Sequence, residues 1–176
     1  MNGAGSSVGH SSDSAQVDLE NGATTILLVN IGTGQPPAIT LDLDTDNDGL
    51  LNLPEGWAVV DSVGIMDGAS AAATDATYGA INFRVEGQPG TSAYGNIVDV
   101  PGPMTTTAGT FHVGRKGEST GATAEDWFGS ILNGTAANPL NFYFYGSSDP
   151  AYSGRLVSDM LYGGLNPLPD PLGTVP

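Results

Sequence analysis

Residues 44–55, DTDNDGLLNLPE, place side-chain oxygens at alternate positions around a glycine. With Asp44 as position one, Asp46 and Asp48 stand at three and five, Gly49 at six, Leu50 at seven, Asn52 at nine and Glu55 at twelve. Aliphatic Leu51 fills position eight, which completes the pattern of a calcium-binding loop. Calcium takes about six to eight hard oxygens, and alternate residues of a tight loop point at one centre. Gly49 permits the turn that turns the Leu50 carbonyl toward the ion, and Glu55 closes the site with two oxygens. The expected ligands are therefore Asp44, Asp46, Asp48, Leu50 through its carbonyl, Asn52 and Glu55, and the expected cofactor is Ca2+. Asp42 extends the alternation, so four carboxylates fall within seven residues. Without a cation they repel one another at short range. The competing account is a solvated acidic turn, the commoner fate of Asp-rich runs.

The flanks of this loop do not suit the helix-loop-helix form. Pro36, Pro37 and Ile39 upstream favour extended chain, and Pro54 and Gly56 oppose an immediate helix. A helix-less loop grafted between strands is expected, holding a structural ion. A sensor that swings helices apart is not expected.

Other groups able to do chemistry fare worse. Gly5-Ser6-Ser7-Val8-Gly9 has nucleophile-elbow spacing but no buried strand before it. His10 and His112, the two imidazoles, are far apart, and isolated histidines are usually surface or hydrogen-bonded residues. Glu125 and Asp126 are adjacent carboxylates, better suited to a helix start than to acid/base work. Arg115-Lys116 reads as a surface turn. Tyr143, Tyr145, Tyr152 and Tyr162 with Trp57 and Trp127 would suit a sugar-stacking platform, although such aromatics are more often core. No catalytic residue is assigned, and the chain is read as a non-enzyme.

Those residues must be carried by a chain of particular composition. Gly (26) and Pro (12) exceed a fifth of the 176 residues, and only 13% are charged, which favours short strands and turns over long helices. The length suits one domain with a real core. Four basic residues against 19 acidic ones give a net charge of −15, which repels nucleic acid and anionic lipid and favours cations as partners. There is no cysteine, so disulfides and thiolate sites are excluded. No apolar run has the length of a membrane span. Residues 1–5 do not resemble a signal peptide, so export information, if any, lies outside this chain.

Residues 1–23 read as a loop-rich N-terminal segment with a short apolar stretch near Val17. Strands are expected at 24–31, 38–43, 57–66, 78–85, 95–100, 110–113 and 141–145, with one helix over 120–132. Residues 163–176 read as a Pro/Gly-rich tail. Seven short strands over 24–162 point to an all-β molecule, a β-sandwich.

The stretches VGHSSDSAQVDLENGATTILLVN, DLDTDNDGLLN, WAVVDSVGIMDG, TYGAINFR, FHVGRKGESTGATAEDW and GGLNPLP resemble lamin-tail-like β-sandwich modules of bacterial secreted and surface proteins, some of which also carry nuclease domains. The resemblance spans residues 8–169. It implies an immunoglobulin-like β-sandwich with an accessory, adhesive or anchoring role, located outside the cell or on its surface, and no catalytic residues. Family members have further strands upstream, including an Asn-Glu opening absent here, so an open sheet edge and self-association are expected. The function expected is a calcium-stabilised binding, adhesion or assembly module. A matrix or filament subunit, a carbohydrate-binding module and a hydrolase fragment are the alternatives, and the partner expected is a cell surface, a polysaccharide or a second copy.

Overall fold

The computed structural model describes residues 23–35, 38, 41–66, 76–102, 111–133 and 143–156. Among these residues there are seven strands: β1 (Thr24–Asn30), β2 (Ala58–Ile65), β3 (Ile81–Val85), β4 (Ile97–Val100), β5 (Phe111–Arg115), β6 (Trp127–Asn133) and β7 (Tyr143–Ser147). They form a four-stranded sheet in the order β1-β2-β3-β4 and a three-stranded sheet in the order β5-β6-β7. Among the described residues the helices are two 3-10 turns, Ala124–Asp126 and Pro150–Tyr152. The all-β expectation therefore holds. Immunoglobulin sandwiches are antiparallel throughout, whereas here β2 pairs parallel with β3 and β3 parallel with β4. Two sheets of β-strands are what the described residues establish.

The sheets pack through Val63, Ile81, Phe83, Val85 and Val100 of the larger and Ile131 of the smaller, all buried. Gly129 makes the approach possible. A Cβ there would lie 2.5 Å from Phe83 Cδ1 and 2.9 Å from Val100 Cγ2, so any side chain would push the sheets apart. Within the larger sheet Asn82 is fully buried and fully bonded. Its amide accepts from the Gly79 N–H at 3.1 Å and donates to the carbonyls of Gly79 and Gly95 and to Ser92 Oγ. These bonds explain why β3 starts at Ile81 and not at residue 78. The amides of Tyr78, Gly79 and Ala80 are taken by Thr25 Oγ1, Asn82 Oδ1 and Ser62 Oγ, so side chains replace the strand ladder there.

The helix expected over 120–132 is corrected. Only Ala124–Asp126 turns, as a 3-10 segment, and Trp127 opens β6. The apolar run that mimics a helix face serves two cores by alternation. Ile131, with Trp127 packed beside it, faces the larger sheet. Phe128 faces the other way, onto Phe144 and Tyr152, with Leu132 against them. A strand buried on both faces loses the apolar-polar alternation that identifies strands. Thr123 N–H donates to Asp126 Oδ2, which caps this short turn. The strand expected at 38–43 is not formed among its described residues, which run as loop. His10, the 5–9 motif, Tyr162 and the bulk of the segments 1–23 and 163–176 lie outside the described residues.

His112 sits on β5 between the rings of Phe128 (5.4 Å) and Phe144 (4.9 Å). Its Nε2 is buried and finds no hydrogen-bond partner among the described residues, and burial pushes its pKa below the ordinary 6.5. The folded state thus binds this proton less well than the unfolded chain. Stability from the neutral ring is complete above pH 6.5 and falls as pH drops below that value toward the lowered folded pKa. The unfolding free energy from urea titrations between pH 7.5 and 5 should fall with a slope of at most about 1.4 kcal/mol per pH unit from this residue. The His112→Phe variant should flatten that part of the profile. An unchanged slope would move the effect to the carboxylates.

Candidate metal centre

Local hydrogen bonding winds the acidic loop around Asp44. Asp42 Oδ1 accepts from the Asp44 N–H at 2.9 Å, an Asx turn that starts the bend. Asp44 is only 8% exposed, and its carboxylate accepts from the N–H groups of Asp48 and Gly49, each at 3.0 Å. Asp48 Oδ1 then accepts from the Leu50 N–H at 2.8 Å. Gly49 has a φ of +86°, the left-handed conformation that glycine adopts without strain, and Asn47 shares that region at +55°. Asn52 closes the far side. Its N–H donates to the Leu43 carbonyl at 2.6 Å, and its Oδ1 accepts from Thr45 N–H at 2.7 Å and Thr45 Oγ1 at 2.9 Å.

The loop is then fastened by two tyrosines from the segments that precede β3 and β4. The Tyr78 hydroxyl donates to Asp44 Oδ2 at 2.8 Å, and the Tyr94 hydroxyl accepts from the Leu51 N–H at 2.9 Å. The Tyr78 bond is the main reason the Asp44 carboxyl titrates below its usual range, with the Gly49 and Asp48 amides adding to it against the opposing effect of burial. The same bond, with burial and the nearby carboxylates, pushes the Tyr78 phenol up to about 12, so it remains a donor at neutral pH. Neither tyrosine carries a recognisable local signal. They lie 34 and 43 residues from their partners, and reading the loop alone does not find them.

Carboxylate oxygens of Asp44, Asp46 and Asp48 all lie within 4.8 Å of one another. Oxygens bound to one calcium at about 2.3–2.6 Å lie at most about 5 Å apart, so the three fit a single hard cation. Asp46 and Asp48 are exposed while Asp44 is buried, which leaves the cluster open to solvent on one side. Glu55 is exposed and stands outside this group of three. Asn52 has its amide oxygen directed at Thr45, and the Leu50 side chain is exposed. The cluster can hold a metal ion through its three carboxylates. The donor set is all hard oxygen, with no imidazole or thiol, which disfavours zinc and copper and suits calcium, magnesium or manganese.

The chain matches no family model, no curated protein and no solved structure, so the site is read from its own geometry. Elsewhere the described residues assemble little chemistry. Of the cations, Arg84 pairs with Asp99, Arg115 with Asp61 and Lys116 with Asp149. Arg155 lies over the Tyr152 ring and donates to the Ala151 carbonyl. That spends the basic groups and leaves the excess acids to cations. The candidate sugar-stacking rings do not form one plane. Tyr152 is fully buried against Phe128, Trp127 is covered by Arg115, and the Tyr143 and Tyr145 rings are tilted by 45°.

Proposed function

We propose that the chain is a calcium-stabilised, non-catalytic binding or adhesion module that works outside the cell or on a bacterial surface. The observation that carries it is the convergence of Asp44, Asp46 and Asp48 within 4.8 Å inside a loop of calcium-binding spacing. Magnesium demands near-ideal octahedral geometry and gives up its water reluctantly, whereas calcium tolerates a loop of mixed ligands. The further oxygens are those of the loop pattern, the Leu50 carbonyl and the Asn52 and Glu55 side chains. Glu55 and Asn52 join by side-chain rotation when the ion binds. Millimolar calcium is common outside cells, and extracellular modules bind it at about 0.1–1 mM. The cysteine-free, strongly acidic composition and the resemblance to lamin-tail-like modules support the same reading. An immunoglobulin-like relationship has to accommodate the two parallel ladders of the larger sheet.

Terbium luminescence tests the site directly, because Tyr78 stands against the loop and can pass excitation energy to a bound lanthanide. Terbium added to EDTA-stripped protein should light up on excitation of tyrosine and be displaced by calcium at far lower concentration than by magnesium. Equal displacement by both ions, or by sodium at matched ionic strength, would reduce the loop to an acidic turn that collects counterions.

A further inference from the structure

Ile26 of β1 pairs with Val63 of the core, so Thr25 and Leu27, its neighbours in the strand, point to the opposite face of the larger sheet. On that face β1, residues 41–44 and Leu51 border a cavity of about 280 Å³. Leu27, Leu41, Leu43 and Leu51 give it aliphatic walls, and the carboxylates of Asp42 and Asp44 line it as well. Asp44 is already committed, because it holds the Asp48 and Gly49 amides and the Tyr78 hydroxyl and belongs to the metal cluster. Asp42 is not. It is exposed and stands outside the three converging carboxylates. Among the described residues its one hydrogen bond is from the Asp44 N–H to Oδ1. The chain has no lysine or arginine left to neutralise it. Arg84, Arg115 and Lys116 are paired with Asp99, Asp61 and Asp149, and Arg155 lies over the Tyr152 ring.

An unpaired carboxylate beside hydrocarbon walls selects its ligand by two criteria. The charge requires a cation and repels any acid. The leucines offer nothing to a bare hydrated ion but cover an alkyl stem, leaving its charged head on the carboxylate. Asp42 Oδ1 is held by the Asp44 amide, which leaves Oδ2 as the open oxygen. One open oxygen suits the point charge of an ammonium better than the two-pronged guanidinium. We propose that the cavity binds a primary ammonium on an unbranched alkyl chain, with the ammonium on Asp42 and the chain against Leu27, Leu43 and Leu51. Lysine side chains and free alkylamines share this chemistry. The site is distinct from the metal centre, yet Asp44 belongs to both, and in that respect the proposal rests on the calcium reading. A divalent ion on Asp44 repels an ammonium on Asp42, so each cation should weaken the binding of the other.

The test follows the leucine methyl resonances of the full chain by NMR as hexylamine is added, in EDTA at neutral pH and physiological salt. Hexylamine is a cation there, since alkylammonium groups titrate near lysine at about 10.4. Expected are saturable shifts at Leu27, Leu43 and Leu51, with hexanol binding about tenfold more weakly and hexanoate not at all. Asp42→Asn keeps an oxygen for the Asp44 N–H and removes the charge, so it should fold like the parent and bind hexylamine about tenfold more weakly. Equal binding of hexanol, or an unaffected Asp42→Asn chain, would overturn the proposal in favour of a merely apolar cavity. Shifts that never saturate would overturn it in favour of counterion collection. Lysine blocked at both backbone ends separates the sources. If it binds as tightly as hexylamine, the site takes a partner's lysine; if only hexylamine binds, the site takes a free amine. In calcium, with the loop shown to be filled by terbium displacement, hexylamine should bind about tenfold more weakly. Undiminished binding there would overturn the placement of the ammonium beside Asp44. A loop that calcium does not fill would sink the calcium reading alone, and the comparisons in EDTA would still decide the cavity.

Discussion

Protein stripped with EDTA should melt about 5–10 °C below the same protein in about 10 mM calcium, and the Asp46→Ala/Asp48→Ala variant should lose that difference. The size follows from linkage. A ligand that binds only the folded chain adds about 2.7 kcal/mol at about a hundred times Kd, which roughly 10 mM calcium reaches for a Kd of about 0.1 mM, and each kcal/mol moves the midpoint of a domain this size by about 2–4 °C. The stripped loop holds three close carboxylates, which repel, and calcium turns that repulsion into attraction. The variant therefore has a second signature. Removing two exposed acids relieves repulsion and also costs the exposed Leu50 N–H its bond to Asp48, so the variant without calcium should melt close to the stripped parent. Asp44→Ala should behave differently. Its carboxylate holds the amides of Asp48 and Gly49 and the Tyr78 hydroxyl, so its loss lowers the melt with or without calcium. If sodium chloride at equal ionic strength reproduces the whole shift in the parent, the effect is screening and the metal site fails.

The Asn82→Leu variant should lose about 3–5 kcal/mol, among the largest single-residue losses expected here. Leucine has nearly the shape of asparagine but no polar atoms. It would strand the buried N–H and carbonyl of Gly79 and the partly buried carbonyl of Gly95, at about 1–3 kcal/mol for each buried group left unpaired. The same bonds hold the turn that carries Tyr78 toward the metal loop, so calcium affinity should weaken as well. Urea denaturation reads the first effect as a lower midpoint at unchanged slope. A loss below about 1 kcal/mol would mean that the turn rearranges to satisfy itself.

How far the molecule can be read from its residues varies with position. β1, β2 and β4 emerge within a residue or two of their expected places, because β-branched runs bounded by glycine and by Asp67 and Pro101 leave few alternatives. β6 does not. Trp127, Phe128, Ile131 and Leu132 satisfy helical spacing as well as a strand buried on two faces, and nothing in those residues says that a second aromatic cluster waits on the far side. The parallel pairing of β2, β3 and β4 is equally invisible, since strand direction depends on the paths of the intervening segments.

At the metal centre, the line between the two kinds of information is sharp. Residue order alone determined the loop: alternating aspartates, glycine at the turn, and the backbone bonds to Asp42, Asp44 and Asp48 that form within five residues of chain. Such contacts close short distances and need no other element to form. Tertiary structure decided everything that reaches across the fold. It brought Tyr78 to Asp44 and Tyr94 to Leu51, and buried one carboxylate while leaving two exposed. Those arrangements depend on how two sheets pack over Phe83 and Gly129, a many-body outcome that no short stretch of residues encodes.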